Sequence, residues 1–135
     1  MAGRDHPNVG LVRAFYDTRS RGNLDAVRKM LDEDVLWREP EVGNEHTGDL
    51  RGVDAVLGMI REAGWLTGGT FELRVSEAVA HGEQVAAFID WSATRDGKTL
   101  EGKEIAIYRI RDDKIVEAYF HQNNLDHDKE FWLRI

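Results

Sequence analysis

The second half of the chain decides the fold, because it contains TFELRVSEAVAHGEQVAAFIDWSATRDGKTLEGKEIAIYRIRDDKIVEAYFHQ at residues 70–122. Apolar and polar residues alternate from the start of this stretch, and a period of two is typical of half-buried β-strands. Turn signals follow at residues 81–83, 95–98 and 112–113, of which Arg95-Asp96-Gly97-Lys98 is a clear hairpin signal. We therefore predict a meander of four antiparallel strands over residues 70–80, 84–94, 103–111 and 115–122.

The first half has the helical period instead. It predicts helices over residues 8–18, from about 23 to 31, and from Gly52 to Gly64. A short strand is predicted at residues 35–39 and a polar loop at residues 41–50. Helices that precede a run of strands indicate an α+β fold with the helices on one sheet face. No repeat or second domain is visible, so residues 1–135 are predicted to form one domain.

Composition excludes several classes of partner. The net charge of −7 argues against nucleic acid or an anionic membrane, since phosphate backbones are bound by clustered Lys and Arg. The chain has no cysteine, and its first residues lack the apolar core of a signal peptide. No apolar run approaches the roughly 20 residues that span a bilayer. We expect a cytoplasmic protein with no nucleic-acid or membrane partner.

Several short segments carry a family resemblance. They are GNLD at residues 22–25, WREP at 37–40 before a loop ending GDLRG at 48–52, RDGK at 95–98 and DKIVEAY at 113–119. In this order they resemble the nuclear transport factor two-like superfamily, which includes ketosteroid isomerases and SnoaL-like polyketide cyclases. The resemblance implies a cone-shaped α+β barrel, or cystatin-like roll, whose curved and mainly antiparallel sheet closes over an apolar pocket.

The resemblance to ketosteroid isomerase places Glu39 at the position of the catalytic base. Phe15 and Ala106 stand where that enzyme has its oxyanion donors, and Ile60 stands where a supporting tyrosine would lie. Ordinary steroid isomerisation is therefore not expected, because the dienolate would lack its main stabilisation.

SnoaL-like cyclases resemble this chain better in length and in the glycine-rich loop, but both they and a third branch differ from it at their catalytic residues. Asn123 is the nearest residue to the acid–base aspartate that SnoaL-like cyclases carry after the last strand. In limonene epoxide hydrolases an Asp–Arg–Asp set surrounds the pocket, and only Asp90 offers one member here.

The family register also directs residues towards the pocket. The predicted substrate-binding residues are Phe15, Trp37, Leu57, Ile60, Trp65, Phe71, Ile89, Trp91, Glu104, Ala106, Ala118, Tyr119 and Phe120. The predicted catalytic residues are Glu39, Tyr108 and His121. A carboxylate in an apolar pocket has a raised pKa that suits a general base, a tyrosine can donate to a ligand oxygen, and histidine can shuttle protons.

These assignments have structural alternatives. Glu39 could end its strand in solvent or pair with Arg38 or Arg51, and Tyr108 and Trp91 could simply pack in the core. Glu104 could be one more charge on a solvated strand. Alternation places Tyr119 on the face opposite Ala118 unless a bulge swaps the faces, and His121 could be a surface residue.

No cofactor or metal is predicted. There is no nucleotide-binding motif, and the spacing of His121, His127 and Asp128, or of Glu45 and His46, matches no known set of ligands.

The outer sheet face is predicted to be too apolar for water. Its residues are Ala86, Phe88, Asp90, Ser92, Glu101, Ile105 and Ile107. Members of the superfamily often dimerise through this face, so a homodimer is expected. The alternative is that the tail with Phe131 and Trp132 covers the face.

Two functional hypotheses follow. The first is an enzyme that catalyses a non-redox isomerisation, cyclisation or hydration of a polycyclic or polyketide-like molecule. The second is a module of the same fold that binds a hydrophobic ligand, or dimerises, without catalysis. A purely structural role would require that large side chains fill the cone.

Overall fold

The computed structural model describes residues 6–39 and 48–122. Its helices are α1 (Pro7–Ser20), α2 (Leu24–Met30) and α3 (Val53–Leu66). The first two helices begin at side-chain caps: His6 accepts from the Asn8 amide at 3.1 Å and Asn23 accepts from the Ala26 amide at 3.2 Å. The third helix continues past Gly64 for two residues.

Six strands form one sheet. They are β1 (Leu31–Arg38), β2 (Asp49–Arg51), β3 (Glu72–His81), β4 (Gln84–Arg95), β5 (Lys98–Arg111) and β6 (Lys114–Gln122). Their order across the sheet is β2-β1-β6-β5-β4-β3. The pair β1–β6 is parallel and the other neighbours are antiparallel. The predicted α+β class and the meander of four strands are confirmed.

The structure corrects three strand predictions. The short strand predicted at residues 35–39 is β1, which begins four residues earlier, at Leu31. The end of the predicted loop at residues 41–50 forms β2, a three-residue strand in which Leu50 pairs with Trp37. The strand β5 begins at Lys98, five residues earlier than predicted, because it stays paired with β4 back to the hairpin. Pairing with a long neighbouring strand thus outweighs the weak strand propensity of Gly102 and the charged residues around it.

The hairpin between β4 and β5 matches its sequence signal. Asp96 and Gly97 both have positive φ values, of 52° and 76°, and Arg95 pairs with Lys98 across the turn. Two consecutive left-handed residues make a type I′ turn, whose twist suits a two-residue hairpin.

The core lies between the helices and one face of the sheet, which we call the inner face. From β4 to β1, one row of this face consists of Val85, Tyr108, Ala118 and Trp37, all buried. The buried residues Phe15 and Tyr16 of α1 and Leu57 and Ile60 of α3 belong to the same core. The opposite face, which we call the outer face, is not covered by any described helix. In the described part of the chain, no helix has the length and apolar character needed to cross a membrane.

Candidate functional site

The deep end of the interior is a cluster of aromatic rings. Trp37 lies with its ring centroid 5.8 Å from Phe15, 6.0 Å from Tyr108 and 4.9 Å from Phe120. The first three of these side chains are fully buried. Rings at these separations make favourable tilted and edge contacts, so this end of the interior is well packed.

Two tyrosine hydroxyls meet within this cluster. The oxygen atoms of Tyr16 and Tyr108 are 2.5 Å apart, and either hydroxyl can be the donor. Burial raises the pKa of both phenols, and the nearby carboxylate of Glu104 raises them further. Both hydroxyls therefore stay protonated near neutral pH. Because the pair uses only one of its two protons internally, the other can be donated to a ligand oxygen.

Glu39 comes directly after β1, and its backbone N–H donates to the Gly48 carbonyl at 3.0 Å, which continues the pairing with the β2 segment. Burial raises the pKa of its carboxyl group above the ordinary value of 4.5. The charge of Arg19 and the indole N–H of Trp37 act in the opposite direction but do not cancel the effect of burial. A carboxylate with a raised pKa is a stronger base, which suits proton transfer near neutral pH.

Trp37 adds a polar donor to this end of the site. Its indole nitrogen is buried, and no described residue accepts a hydrogen bond from it with good geometry. The N–H nevertheless lies close enough to Glu39 to influence that carboxyl group. A buried donor without an acceptor costs free energy, and a ligand oxygen would remove that cost.

A second carboxylate lies on the inner face. Glu104 accepts a hydrogen bond of 2.6 Å from the side-chain amide of Gln122, its cross-strand neighbour. The other end of that amide, Gln122 Oε1, is buried and has no hydrogen-bond partner among the described residues. This carbonyl oxygen can accept from a ligand hydroxyl.

The hairpin end of the interior is lined by Phe71 and Trp91, whose rings make an edge contact at 5.9 Å. The indole of Trp91 lies against Gly102 on the neighbouring strand, where a Cβ atom would overlap it. The guanidinium carbon of Arg19 lies 5.7 Å from the centre of the Phe71 ring. This end therefore combines aromatic walls with one positive charge.

Most of the predicted pocket residues do lie on the inner side. Those with buried side chains are Phe15, Trp37, Leu57, Ile60, Ile89, Trp91, Ala106, Tyr108 and Ala118. Glu39, Phe71, Glu104 and Phe120 are partly buried. Their roles in binding or catalysis stay predictions.

Three predicted site residues lie elsewhere. Trp65 is 71% exposed, because it lies five residues beyond Ile60 and that spacing turns it away from the buried face of α3. Tyr119 is 41% exposed and His121 is exposed, both on the outer face. The bulge of β6 precedes Glu117, so it does not swap the faces of the residues that follow.

On the outer face, His121 borders an open groove of about 280 Å³. Phe88 and Ile105 also line this groove, together with Asp90 and Lys103, whose side chains form an ion pair at 2.9 Å. His121 therefore belongs to a different surface from Glu39 and the tyrosine pair.

Three groups that lie in the site were not among the residues predicted from the sequence. They are Tyr16, Arg19 and Gln122. The helical spacing that buries Phe15 also buries its neighbour Tyr16, and this was the available signal.

Residues 6–39 and 48–122 contain no group of three or more His, Asp or Glu side chains arranged to hold a metal ion. Both candidate metal clusters include residues outside the described ranges, namely His127 and Asp128 in one and Glu45 and His46 in the other. Asn123 also lies outside these ranges.

The family model for the SnoaL-like domain matches residues 12–118, which is most of the chain. The chain belongs to the SnoaL-like domain family. A search of the curated proteins found no match.

Solved structures agree with this assignment. Bal32a, from a soil-derived mobile gene cassette, is 24% identical with a TM-score of 0.87, and the match covers 93% of this chain and 95% of that one. A protein of unknown function with a cystatin-like fold from Xanthomonas campestris is 26% identical with a TM-score of 0.84, covering 93% and 98%. IdmH of Streptomyces antibioticus, a candidate polyketide cyclase, is 20% identical with a TM-score of 0.77, covering 89% and 94%. The predicted cystatin-like fold and the family are confirmed.

Proposed function

We propose that this SnoaL-like domain binds a cyclic or polyketide-like molecule between the helices and the inner face, and moves a proton on it without redox chemistry. The observation that carries the proposal is the presence in one interior of the partly buried Glu39, whose carboxyl group has a raised pKa, and of the paired hydroxyls of Tyr16 and Tyr108. These are the two parts that enolisation needs, a base and a donor to the developing oxyanion.

In the proposed step, the ionised Glu39 removes a proton from a carbon next to a ligand carbonyl. The C–H electron pair forms the enolate, whose oxygen accepts a hydrogen bond from the tyrosine pair. Return of the proton from Glu39 to a different carbon completes an isomerisation. Attack of the enolate carbon on a second carbonyl of the same molecule completes a cyclisation, in which the new alkoxide takes the proton.

The tyrosine pair can supply the oxyanion donors that this chain lacks at the two positions where ketosteroid isomerase carries them. Phe15 and Ala106 carry no polar groups, but the hydroxyl of Tyr16 enters the same interior from the next position of α1. Glu39 is near enough to Tyr16 to raise the pKa of its phenol, which supports a role for the two groups on one ligand.

A second candidate is binding without turnover. The close packing of Phe15, Trp37 and Tyr108, all without exposed surface, favours it, because little of the deep end remains open to a ligand. A ligand held only near Phe71 and Trp91 would lie beyond the tyrosine pair.

The test is a tryptophan-fluorescence screen of steroids, anthraquinones and terpenoid epoxides, followed by turnover assays with the compounds that bind. We expect Glu39→Gln to keep ligand affinity within about threefold and to lose turnover by about a hundredfold or more, as for removal of a general base. Glu33→Gln, an exposed carboxylate on the same strand, is the matched control and should change neither. Binding without turnover in the wild type would favour the second candidate, and no binding would reject the pocket.

We also propose a homodimer formed through the outer face. An apolar band crosses four strands there, with Val79, Ala86, Ile107 and Tyr119 in one row and Phe88 and Ile105 in the next. Charged residues flank the band, including Arg109 and Glu117 on one side and Asp90 and Lys103 on the other. A band with charges of both signs on its borders can pair with a second copy of itself about a two-fold axis.

A further inference from the structure

Arg19 is placed unusually for an arginine of α1. It lies in the last turn of the helix and is partly buried, whereas Arg13 and Arg21 are exposed. Its guanidinium lies over the Phe71 ring, and Nη2 is 4.0 Å from the sulfur of Met59. The aromatic ring and the thioether hold the planar group by stacking and packing, and they leave its strong hydrogen-bonding capacity unused.

No described carboxylate neutralises Arg19 by direct contact. The other arginines near this end of the helices do have such contacts: Arg21 pairs with Asp17 at 3.1 Å, and Arg28 pairs with Asp54 at 2.6 Å. Among residues 6–39 and 48–122, the only side-chain acceptor at hydrogen-bond distance from Arg19 is the weakly accepting sulfur of Met59. A guanidinium has five N–H donors in a planar fork, which matches a carboxylate or another delocalised pair of oxygens.

The charge of Arg19 nevertheless reaches the proposed site. Burial raises the pKa of Glu39 and of both tyrosines, and the positive charge of Arg19 acts in the opposite direction on each of them, so the guanidinium lies near all three groups. Glu39 and Glu104 already place two carboxyl groups in this interior. An anionic ligand would meet repulsion there unless a positive charge offsets it, and Arg19 is placed to do so.

We propose that Arg19 is an anion-recognition residue, which selects ring-containing ligands that carry a delocalised oxyanion at the Phe71 end of the site. The proposal rests on the proposed function, since the rest of the ligand would occupy the same interior. The recognised group is a planar, negatively charged pair of oxygens, and either a carboxylate or an ionised enol of a quinone provides it.

The experiment measures dissociation constants by tryptophan fluorescence for two pairs of probes. One pair is anthraquinone carboxylate and its neutral carboxamide. The other is a hydroxynaphthoquinone that is ionised near neutral pH and its neutral methyl ether. Each probe is titrated into the wild type, Arg19→Gln, Arg19→Lys and the control Arg21→Gln.

We expect Arg19→Gln to weaken at least one anionic probe by about tenfold or more and its neutral partner by less than about threefold, the difference expected for one charge-assisted hydrogen bond. Arg19→Lys should fall between, because it keeps the charge and loses the planar fork. Arg21→Gln should change nothing. The anionic probe that responds identifies the source of the oxyanion.

Equal weakening of anionic and neutral probes by Arg19→Gln would overturn the inference, because Arg19 would then only pack against the ligand without recognising its charge. The proposed pocket would not be affected by that result. An equal loss in Arg21→Gln would also overturn it, because the effect would then come from net charge. Failure of all four probes to bind the wild type would reject the proposed pocket and the inference together, which is a different result from the other two.

Discussion

The two faces of β4, β5 and β6 differ in how far their apolar side chains are buried. In the middle of the inner face, Ala87, Ala106 and Ala118 are fully buried, whereas Phe88 and Tyr119 on the outer face are each 41% exposed. The alanines belong to the same buried core as Phe15 and Tyr16 of α1. The large apolar residues outside stay partly in water, although the guanidinium of Arg38 lies over the ring of Tyr119. This difference is why we propose the site on the inner face and contact with a second copy on the outer face.

The prediction with the largest expected effect compares alanine substitutions of two phenylalanines, one in the core and one on the outer face. Phe15→Ala should lower the free energy of unfolding by about 3–5 kcal/mol, because it removes a ring with no exposed surface from the core. Phe88→Ala should cost about 1 kcal/mol or less, because the ring is already partly in water. Urea unfolding measures both.

Phe88→Ala should also weaken the proposed homodimer, whereas a folded Phe15→Ala variant should not. Sedimentation velocity over a range of protein concentrations measures the monomer–dimer equilibrium of each variant. Equal costs of unfolding for the two substitutions would contradict the division into two faces.

A second comparison replaces a glycine with alanine at two positions, which adds one methyl group at each. Gly102→Ala should destabilise the protein by about 1–3 kcal/mol, because the new Cβ overlaps the buried indole of Trp91 and one of them must shift. Gly64→Ala in α3 should stabilise it by about 0.5–1 kcal/mol, since no atom obstructs the new methyl group and alanine favours a helix.

Thermal or urea unfolding measures the two effects, and adding Trp91→Phe to Gly102→Ala should recover part of the loss. A Gly102→Ala variant with the same free energy of unfolding as the wild type would show that the Trp91 side chain is loosely packed.

The smallest effect depends on pH. The pKa of Glu39 is raised in the folded state, so the carboxyl group imposes no penalty below its unfolded pKa and destabilises the fold progressively as pH rises through the folded pKa. Glu39→Gln should therefore gain stability relative to the wild type as the pH rises above 4.5, and this gain should vanish below that value.

The control Glu101→Gln, an exposed position of the outer face, should show no such dependence. Urea unfolding at a series of pH values on both sides of 4.5 makes the measurement. A gain for Glu39→Gln that is the same at every pH would contradict burial as the cause.

The sequence predicted those features that depend on local pattern. Alternation gave the strands, the register implied by the family resemblance gave the inward direction of Trp37 and Tyr108, and the Asp96–Gly97 signal gave the position of the hairpin turn. Alternation also placed Tyr119 outside, although it was retained as a pocket residue in case a bulge reversed it.

Other features depend on contacts between distant parts of the chain. The tyrosine pair joins Tyr16 to Tyr108, and β2 exists because Leu50 meets Trp37. Neither pair can be inferred from the residues adjacent to it in sequence. Arg19 was missed for a related reason, since a charged residue at the end of a helix is usually solvated and only the position of Phe71 shows otherwise.

The parallel pairing of β1 with β6 has a consequence for synthesis of the protein. Trp37 of β1 pairs with Ala118 of β6, the last described strand. During translation, β1 leaves the ribosome long before β6 exists, so only its edge facing β2 can pair while the meander is made. A nascent chain that stops before Lys114 can pair β1 with β2 and form the hairpins of β3, β4 and β5, but it cannot join β1 to β5 through β6. The segment that carries Glu39 and the strand that carries Tyr108 therefore become parts of one sheet only when β6 is in place.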